Sequence, residues 1–482
     1  MNVEKPKSEE RASIDFGLKW RKINWTVVET RVNRLQSRIA KAAREGRFNQ
    51  VKILQYLLVK SYYAKLMAVK KVMGNKGCKT AGVDGELWSS DSKKYQGAIH
   101  LKNGGYKASP LRRTYIKKAN GKLRPLGIPT MRDRSMQALH ALSLDPVAES
   151  ILSTKAFGFR KHRSCHDAQE YIFKCLGTKV SGKWVLEGDI KGCFDHISHQ
   201  WIMENVPMNK RILKQFLTAG FVYKKDLYPT EEGTPQGGII SPILANLTLN
   251  GLAEMLAKKY SMNANGNISR NVDIHKIHTI IYADDFIITA NNEEILHQVK
   301  EDIEEFLQER GLELSESKTL ITHINEGFDF LGWSFRKFKT KLIIAPSKKS
   351  VKNICKKIDE TVRKNLMQKQ EILIKQLNAL IRGWCNYHKS SCAKKAFQTI
   401  DKYVFYALWN WAKRRHSTKS KHWRKKRYFH QEGSRDWIYG TEKVKLVFAS
   451  DTKIKRHRLI KFEANPYLRE YDEYYSKRRG AC

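Results

Sequence analysis

Two adjacent aspartates lie in the middle of a strongly β-forming stretch of this chain. The stretch runs from His278 to Ala290, and isoleucine and aromatic residues stand on both sides of Asp284 and Asp285. Such residues favour strands, and a short polar break between two runs of them is typical of a hairpin. We therefore predict a tight hairpin with both aspartates at its tip.

The carboxylates of this hairpin require a positive partner. Neighbouring carboxylates repel each other unless a proton or a cation intervenes, and the apolar flanks offer no lysine or arginine nearby. A divalent cation that prefers oxygen ligands, above all Mg²⁺, would satisfy both of them. An acidic turn alone is weak support for such a site, because acidic turns are common. Asp189, which ends a short apolar strand predicted over residues 184–190, supplies a third carboxylate.

The net charge of the whole chain points to a polyanionic partner. Its 482 residues are enough for about three domains, and 90 Lys and Arg against 48 Asp and Glu give a charge of +42. A merely lysine-rich proteome would scatter this charge evenly. Residues 341–430 instead hold 24 basic and 4 acidic residues, which is +20 in under a fifth of the chain. Nucleic acid is therefore the predicted partner.

The eight cysteines show no Cys-x-x-Cys pair and no regular spacing. This favours free thiols in a reducing compartment over disulfides or a zinc site. No apolar run approaches the length of a membrane span, and the first residues lack a signal-peptide core. We therefore expect a soluble, intracellular protein that has no membrane partner.

Local patterns predict further elements around the acidic hairpin. Residues 20–73 carry apolar positions at helical spacing with basic residues off that stripe, and a helix that starts near Asn292 is expected to bury Ile295 among others. The dipeptide Asn120-Gly121 predicts a second hairpin. Lys122 and Arg124 are two apart on its outgoing strand and share a face. Two cations on one face suit a triphosphate, although a solvated basic strand is the commoner explanation for such a pair.

The order of the motifs resembles that of the group II intron-encoded reverse transcriptases. Besides Asp189 and the turn Tyr282-Ala283-Asp284-Asp285, the resemblance rests on four segments: Ala156–Ala168, the Pro235-Gln236-Gly237 loop, Gly327–Trp333 and Arg382–Tyr387. It implies an α+β right-hand polymerase of the bacterial type, without the endonuclease domain of many relatives. The implied regions are an N-terminal extension that binds intron RNA and template (1–90), fingers (91–188), a palm with an antiparallel sheet (189–340, of which 196–250 partly belongs to fingers and palm helices), a helical thumb or X domain (341–427) and a small DNA-binding region (428–482).

The resemblance also implies roles for individual residues. Asp189, Asp284 and Asp285 would be catalytic and, with Ile190, would hold two Mg²⁺ ions, for which Mn²⁺ could substitute. Lys122, Arg124, Phe194 and Gln236 would bind the incoming nucleotide, with Phe194 excluding a 2′-hydroxyl. Support of the primer and the active site is expected from Tyr282, Lys318, Gly332 and Trp333. Contacts to RNA or DNA are expected from Arg160, Arg163, Arg382, Arg414, Arg415, Arg424, Lys425 and Lys426.

The implied function is RNA-directed DNA synthesis combined with intron binding. The protein would bind its group II intron RNA to assist splicing, then copy the RNA into DNA from dNTPs at a target DNA during retrohoming. Its expected location is the bacterial cytoplasm rather than an organelle, and the sequence does not distinguish a monomer on RNA from a dimer. Two alternatives stay open: an RNA-binding maturase without chemistry, and a reverse transcriptase recruited to another task such as phage defence.

Overall fold

The computed structural model describes residues 15–117, 121, 123–261 and 275–481. Its helices of the α type are α1 (Trp25–Arg44), α2 (Phe48–Lys60), α3 (Tyr62–Met73), α4 (Asp91–Ile99), α5 (Met131–Ile151), α6 (Cys165–Leu176), α7 (Cys193–His196), α8 (His199–Asn205), α9 (Lys210–Leu217), α10 (Ser241–Thr248), α11 (Leu252–Tyr260), α12 (Glu293–Gln308), α13 (Lys348–Lys364), α14 (Gln370–His388), α15 (Lys394–Arg415), α16 (Lys421–Tyr428) and α17 (Asp472–Ala481). Within the described ranges, no helix is both long and apolar enough to span a bilayer.

Within the part of the chain that the structure describes, the strands form four sheets. They are β1 (Leu111–Lys117), β2 (Leu123–Ile128), β3 (Trp184–Asp189), β4 (Phe221–Tyr223), β5 (Asp226–Tyr228), β6 (His278–Tyr282), β7 (Asp285–Ala290), β8 (Leu320–His323), β9 (Phe328–Phe330), β10 (Trp333–Phe338), β11 (Lys341–Pro346), β12 (Phe429–Glu432) and β13 (Arg435–Tyr439). The strand orders are β2-β1-β4-β5, β6-β7-β3-β8, β11-β10-β9 and β12-β13. The chain is therefore an α+β protein, as predicted.

The chain folds into two compact units that are discontinuous in sequence. Unit 1 comprises residues 1–164, 186–320 and 460–482, and unit 2 comprises residues 165–185 and 321–459. These units do not follow the linear regions expected from the sequence, because residues 428–482 are divided between them. The functional borders therefore stay a prediction.

Helix α5 forms the centre of unit 1. It is buried on nearly all sides, and α1, α2 and α3 pack against it. Helix α1 turns Val28, Val32 and Ile39 inward and leaves its arginines outside, which confirms the amphipathic pattern. In α12 Val299, Ile303 and Phe306 are buried as predicted, whereas Ile295 is only half-buried and its neighbour Leu296 is buried.

Both predicted hairpins are present in unit 1. Strands β1 and β2 pair antiparallel from Arg112↔Ile128 to Lys117↔Leu123, whereas their turn residues 118–120 and Lys122 lie outside the described residues. Strands β6 and β7 pair as far as Tyr282↔Asp285. Ala283 has a φ of 58°, which closes this second hairpin in two residues.

Unit 2 is built on one continuous apolar core. Helices α13, α14 and α15 contribute most of it, and Tyr428, Phe429 and Tyr439 extend it to the β12-β13 hairpin. This confirms the predicted change to long helices after about residue 349. No disulfide joins any of the seven cysteines among the described residues.

Candidate active site

The three predicted carboxylates meet at one end of two neighbouring strands. Asp189 ends β3, Asp284 occupies the two-residue turn and Asp285 begins β7. A Cβ atom on Gly188 would lie 2.1 Å from the ring of Phe286, so the missing side chain allows β7 to pack closely on β3. This packing brings together Asp189 and Asp284, which are 95 positions apart in sequence.

Asp285 interacts with both of the other carboxylates. Burial, followed by the charges of Asp284 and Asp189, raises the pKa of Asp285 to about 6, and a hydrogen bond with Asp189 contributes. A carboxyl group that resists ionisation among like charges favours a shared proton or a bound cation. Asp189 therefore lies within reach of the turn at 284 and 285.

Lys318 partly neutralises this acidic cluster. Its Nζ lies 2.7 Å from Oδ2 of Asp189, which confirms the expectation that it lies near the carboxylates. The backbone holds this arrangement, because Ser315 N donates to Asp189 O at 2.8 Å and Ile190 forms a bridge with Leu314. Three carboxylates and one ammonium leave the cluster with an excess of negative charge.

The donor chemistry of the cluster fits Mg²⁺, although its arrangement is not that of a finished metal site. Among residues 15–117, 121, 123–261 and 275–481, no three His, Cys, Asp or Glu side chains are arranged to hold a metal ion. One of the three carboxylates is directed to Lys318. Carboxylate oxygens, together with the Ile190 carbonyl, are ligands that Mg²⁺ prefers.

A loop after α5 supports the acidic β6-β7 turn from behind. Phe157 N donates to Ile281 O at 2.8 Å, and Ile281 N donates to Lys155 O at 3.0 Å. A Cβ on Gly158 would lie 2.3 Å from Ala283 N, and Asn246 fixes the Gly158 carbonyl through a 2.8 Å bond. The family resemblance includes Ala156–Ala168, but no local pattern in that segment places it against the β6-β7 turn.

Two of the predicted nucleotide-binding residues are hydrogen-bonded to each other. Arg124 Nε donates to Gln236 Oε1 at 2.7 Å, and Gln236 Nε2 donates to Asp195 Oδ2 at 3.0 Å. Asp195 received no role from the sequence. Lys122, the fourth predicted member of this group, lies outside the described residues.

Phe194 lies beside a cleft of about 340 Å³. The lining includes Phe194, Asp195, Thr234 and Gln236, and the side chain of Arg113 covers the ring of Phe221 at 3.8 Å. Phe159, which has a φ of 56°, packs edge-to-face on Phe194 with ring centroids 6.3 Å apart. Phe194 is half-buried and borders open space, which suits an aromatic group that limits what enters.

Arg160 and Arg163 are not surface residues, which corrects their predicted role. Arg160 forms two bonds of 2.8 Å to the Glu149 carboxylate and also donates to backbone carbonyls. Arg163 lies 3.5 Å from the same carboxylate and donates to Phe462 O at 2.9 Å. Both are buried, so their guanidinium groups stabilise the interior instead of contacting template phosphates.

The residues predicted to support the primer divide between the two units. Tyr282 pairs with Asp285 at the end of the β6-β7 hairpin in unit 1. In unit 2, Gly332 has a φ of 85° and begins the turn into β10. Trp333 is fully buried and stacks on Tyr387 with centroids 4.5 Å apart. This burial is a correction, since the Trp333 ring belongs to the core of unit 2.

The predicted nucleic-acid residues of unit 2 differ in exposure. Arg382, Arg414 and Lys426 are exposed. Arg424 is buried, which corrects its assignment to the surface, and Arg415 donates to the carbonyls of Leu366 and Gln368. Lys425 is half-buried and pairs with Asp436 at 2.6 Å. The exposed three are therefore the better candidates for phosphate contacts.

Three family profiles match successive parts of the chain. Residues 20–101 match the N-terminal domain of reverse transcriptase, and residues 116–335 match reverse transcriptase (RNA-dependent DNA polymerase). Residues 351–429 match the maturase-specific domain of group II introns. The second match includes all three carboxylates, Arg124, Phe194 and Gln236.

Proteins from bacteria and fungi are among those similar to this chain over part of its length. The group II intron-encoded protein LtrA of Lactococcus lactis subsp. cremoris is 32% identical over 59% of this chain and 56% of its own length. Protein YkfC of Escherichia coli (strain K12) is 32% identical over 55% of this chain and 78% of its own. A 91 kDa protein in the cob intron of Schizosaccharomyces pombe is 28% identical over 71% and 51%. This chain thus spans little more than half the length of the Lactococcus protein.

Among solved structures, a telomerase from Candida albicans in complex with a fragment of telomeric RNA overlaps this chain. The match covers 66% of this chain and 63% of the telomerase chain, with 13% sequence identity and a TM-score of 0.37. A structural similarity this weak supports no conclusion about this chain.

Proposed function

The chain belongs to the family of group II intron-encoded reverse transcriptases, and from this we infer that it is an RNA-directed DNA polymerase. Its reaction would add dNTPs to the 3′-hydroxyl of a primer on an RNA template. The observation that carries this proposal is the contact between Asp189 and Asp285 beside Asp284. Three acidic side chains that converge from two strands are what phosphoryl transfer with metal ions requires.

We propose that Asp189, Asp284, Asp285 and the Ile190 carbonyl hold two Mg²⁺ ions. When bound, the ions would supply positive charge to the attacking oxygen and to the leaving pyrophosphate. The role of the protein is to hold Asp189 at the end of β3 and Asp284 and Asp285 at the tight β6-β7 turn. Lys318 holds the Asp189 carboxylate in place by an ion pair of 2.7 Å.

The nucleotide would bind between the β1-β2 hairpin, which we assign to the fingers, and the palm. Arg124 and Lys122 would contact the triphosphate, since a guanidinium fork and an ammonium can divide its oxygens. Gln236 would contact the nucleotide from its glycine-proline loop. The half-buried ring of Phe194 would meet the sugar and exclude a 2′-hydroxyl, which is the group that separates ribonucleotides from deoxyribonucleotides.

We further propose that the chain binds its group II intron RNA and assists its splicing. The match of residues 351–429 to the maturase-specific domain supports this part, as do the exposed cations of α14 to α16 in unit 2. Copying of the intron at a target DNA would then combine both activities. This proposal leaves open whether the protein acts as a monomer or a dimer on its RNA.

The decisive experiment removes the acidic turn and measures both activities. The double change Asp284→Ala and Asp285→Ala is expected to abolish primer extension on an RNA template in the presence of Mg²⁺. Binding of the intron RNA and stimulation of splicing should stay near the wild-type level, because they do not use these carboxylates. Glu301→Gln, which neutralises an exposed acid on α12, is the matched control and should leave both activities unchanged.

Two other outcomes would change the conclusion. If the wild-type protein binds RNA but extends no primer under any divalent metal, the chain is a maturase without chemistry. If the double variant loses RNA binding as well, polymerase and RNA-binding roles are not separable as proposed. A thermal unfolding curve of the variant distinguishes the second outcome from simple misfolding.

A further inference from the structure

The side chain of Gln236 is held at both ends by groups that cannot exchange roles. The guanidinium of Arg124 can only donate a hydrogen bond, and an ionised Asp195 carboxylate can only accept one. Gln236 answers each with the correct atom, Oε1 toward Arg124 and Nε2 toward Asp195. Rotating the amide by half a turn would oppose two donors at one end and two acceptors at the other. The orientation of Gln236 is therefore fixed by its two partners.

The backbone around Asp195 is fixed as firmly as its side chain. Asp195 N donates to Gly192 O at 2.7 Å, and Thr234 N donates to Phe194 O at 2.6 Å. Gly233 has a φ of 78°, and a Cβ there would lie 2.4 Å from Asp195 O. The loop that carries Gln236 thus lies directly on the turn that carries Asp195. Neither partner can shift far without moving the other.

The charges around Asp195 suit an anchoring carboxylate. Burial raises the pKa of Asp195, whereas His196, Arg113 and Arg124 lower it. Arg113 approaches from β1 and Arg124 from β2. Two neighbouring strands of the β2-β1-β4-β5 sheet therefore present cations to Asp195. Asp195 is therefore a point at which the turn after β3, the fingers hairpin and the Gln236 loop are joined.

We propose that Asp195 is a positioning residue for the incoming nucleotide. Its carboxylate orients the Gln236 amide, and through that amide it orients the guanidinium of Arg124. With Nε bonded to Gln236, a bidentate contact from Arg124 to a phosphate uses its two Nη nitrogens. Asp195 itself touches no substrate. This inference rests on the proposed polymerase function and adds a residue to which no role has been assigned.

The test compares Asp195→Ala, Asp195→Asn and Gln236→Ala in single-nucleotide primer extension. Asp195→Ala removes the acceptor, and we expect it to raise the KM for dNTP about tenfold while kcat changes less than threefold. Asp195→Asn keeps an acceptor oxygen, so its KM for dNTP should stay close to the wild-type value. Glu301→Ala removes an exposed acid from α12, away from this cleft, and should leave KM unchanged.

A double-mutant cycle distinguishes positioning from a merely structural role. If Asp195 acts through Gln236, the double variant Asp195→Ala, Gln236→Ala should be no worse than Gln236→Ala alone. Additive losses, or an unchanged KM in Asp195→Ala, would overturn the inference while the wild-type extension activity still upholds the polymerase function. Absence of extension by the wild-type protein would instead refute the proposed function. Affinity for the primer-template duplex should stay unchanged in every variant, and a fall in it would also contradict the inference.

Discussion

Gly158 lies against the backbone of the turn that carries Asp284. A Cβ at this position would meet Ala283 N at 2.3 Å, the Tyr282 carbonyl carbon at 3.0 Å and Ala283 Cα at 3.1 Å. All three atoms belong to the backbone, so no flexible side chain can yield. Ala283 already has a positive φ, which leaves the turn little freedom to adjust. An added methyl group would therefore displace the carboxylates.

Gly158→Ala is expected to lower kcat for primer extension by about tenfold or more, since a shift of about 1 Å in a reacting group can cost about 100-fold. The measurement is steady-state extension at saturating dNTP. Gly383→Ala is the matched control, because nothing lies within 4 Å of a Cβ there and the residue is inside α14. Alanine should stabilise that helix by about 0.5–1 kcal/mol. Wild-type kcat in Gly158→Ala would contradict the role of this close packing.

Sequence patterns identified the residues of the site better than they identified their environments. Asp189, Asp284 and Asp285 were recognisable because each follows or interrupts an apolar strand. Arg160 looked like a phosphate ligand, since nothing local shows that it is buried with Glu149, 11 residues earlier in α5. Asp195 escaped notice because Gln236 is 41 positions away in sequence. Burial and pairing of charges depend on the tertiary fold.

At the scale of elements, the segment 460–481 packs on the loop behind the acidic β6-β7 turn. Phe462 O accepts from Arg163 at 2.9 Å, and the Phe462 ring lies 3.6 Å from Lys155 Nζ. The Tyr475 ring packs on His162 in a tilted arrangement, with ring centroids 4.7 Å apart. The backbone of Lys155 and Phe157, in the same loop, is hydrogen-bonded to Ile281 of β6. The segment 460–481 therefore supports the position of the β6-β7 hairpin.

The Tyr467 hydroxyl provides the sharpest test of this support. It donates to the carboxylate of Asp145 on α5. Burial raises the pKa of Asp145, and this bond opposes part of that rise. Tyr467→Phe should destabilise unit 1 by about 1–3 kcal/mol, since the carboxylate would lose a partner. Thermal unfolding would measure this change. Tyr406→Phe, at a side chain that is 54% exposed, is the control and should have no effect; equal melting curves for both variants would refute the role.

The elements themselves were largely predictable, whereas their assembly was not. The β6-β7 hairpin and the amphipathic helix α1 follow from local periodicity, which survives folding unchanged. Unit 2, by contrast, joins residues 165–185 to residues 321–459. No local pattern indicates that partnership, because it depends on contacts such as that of Arg456 with Glu170, 286 residues apart.

At the scale of the whole molecule, net charge alone does not measure affinity for nucleic acid. The chain carries +42, but some of its cations are buried or already paired. Lys337 Nζ, for example, is bonded to Thr178 O at 2.7 Å and to Ser181 Oγ at 2.9 Å, and the residue is buried. Arg414 and Lys426 are exposed in the same unit. Only exposed cations can displace counterions from phosphates.

Salt dependence of RNA binding should therefore separate two variants of equal charge. Arg414→Ala is expected to reduce the slope of log K against log salt by about 1, because one phosphate contact is lost. Lys337→Met removes the same single charge from unit 2 but should leave the slope unchanged, even if it lowers the melting temperature. Fluorescence anisotropy with intron RNA between about 50 and 200 mM salt spans the range in which such contacts change affinity strongly. Equal slopes for the two variants would mean that the overall charge, rather than its placement, governs binding.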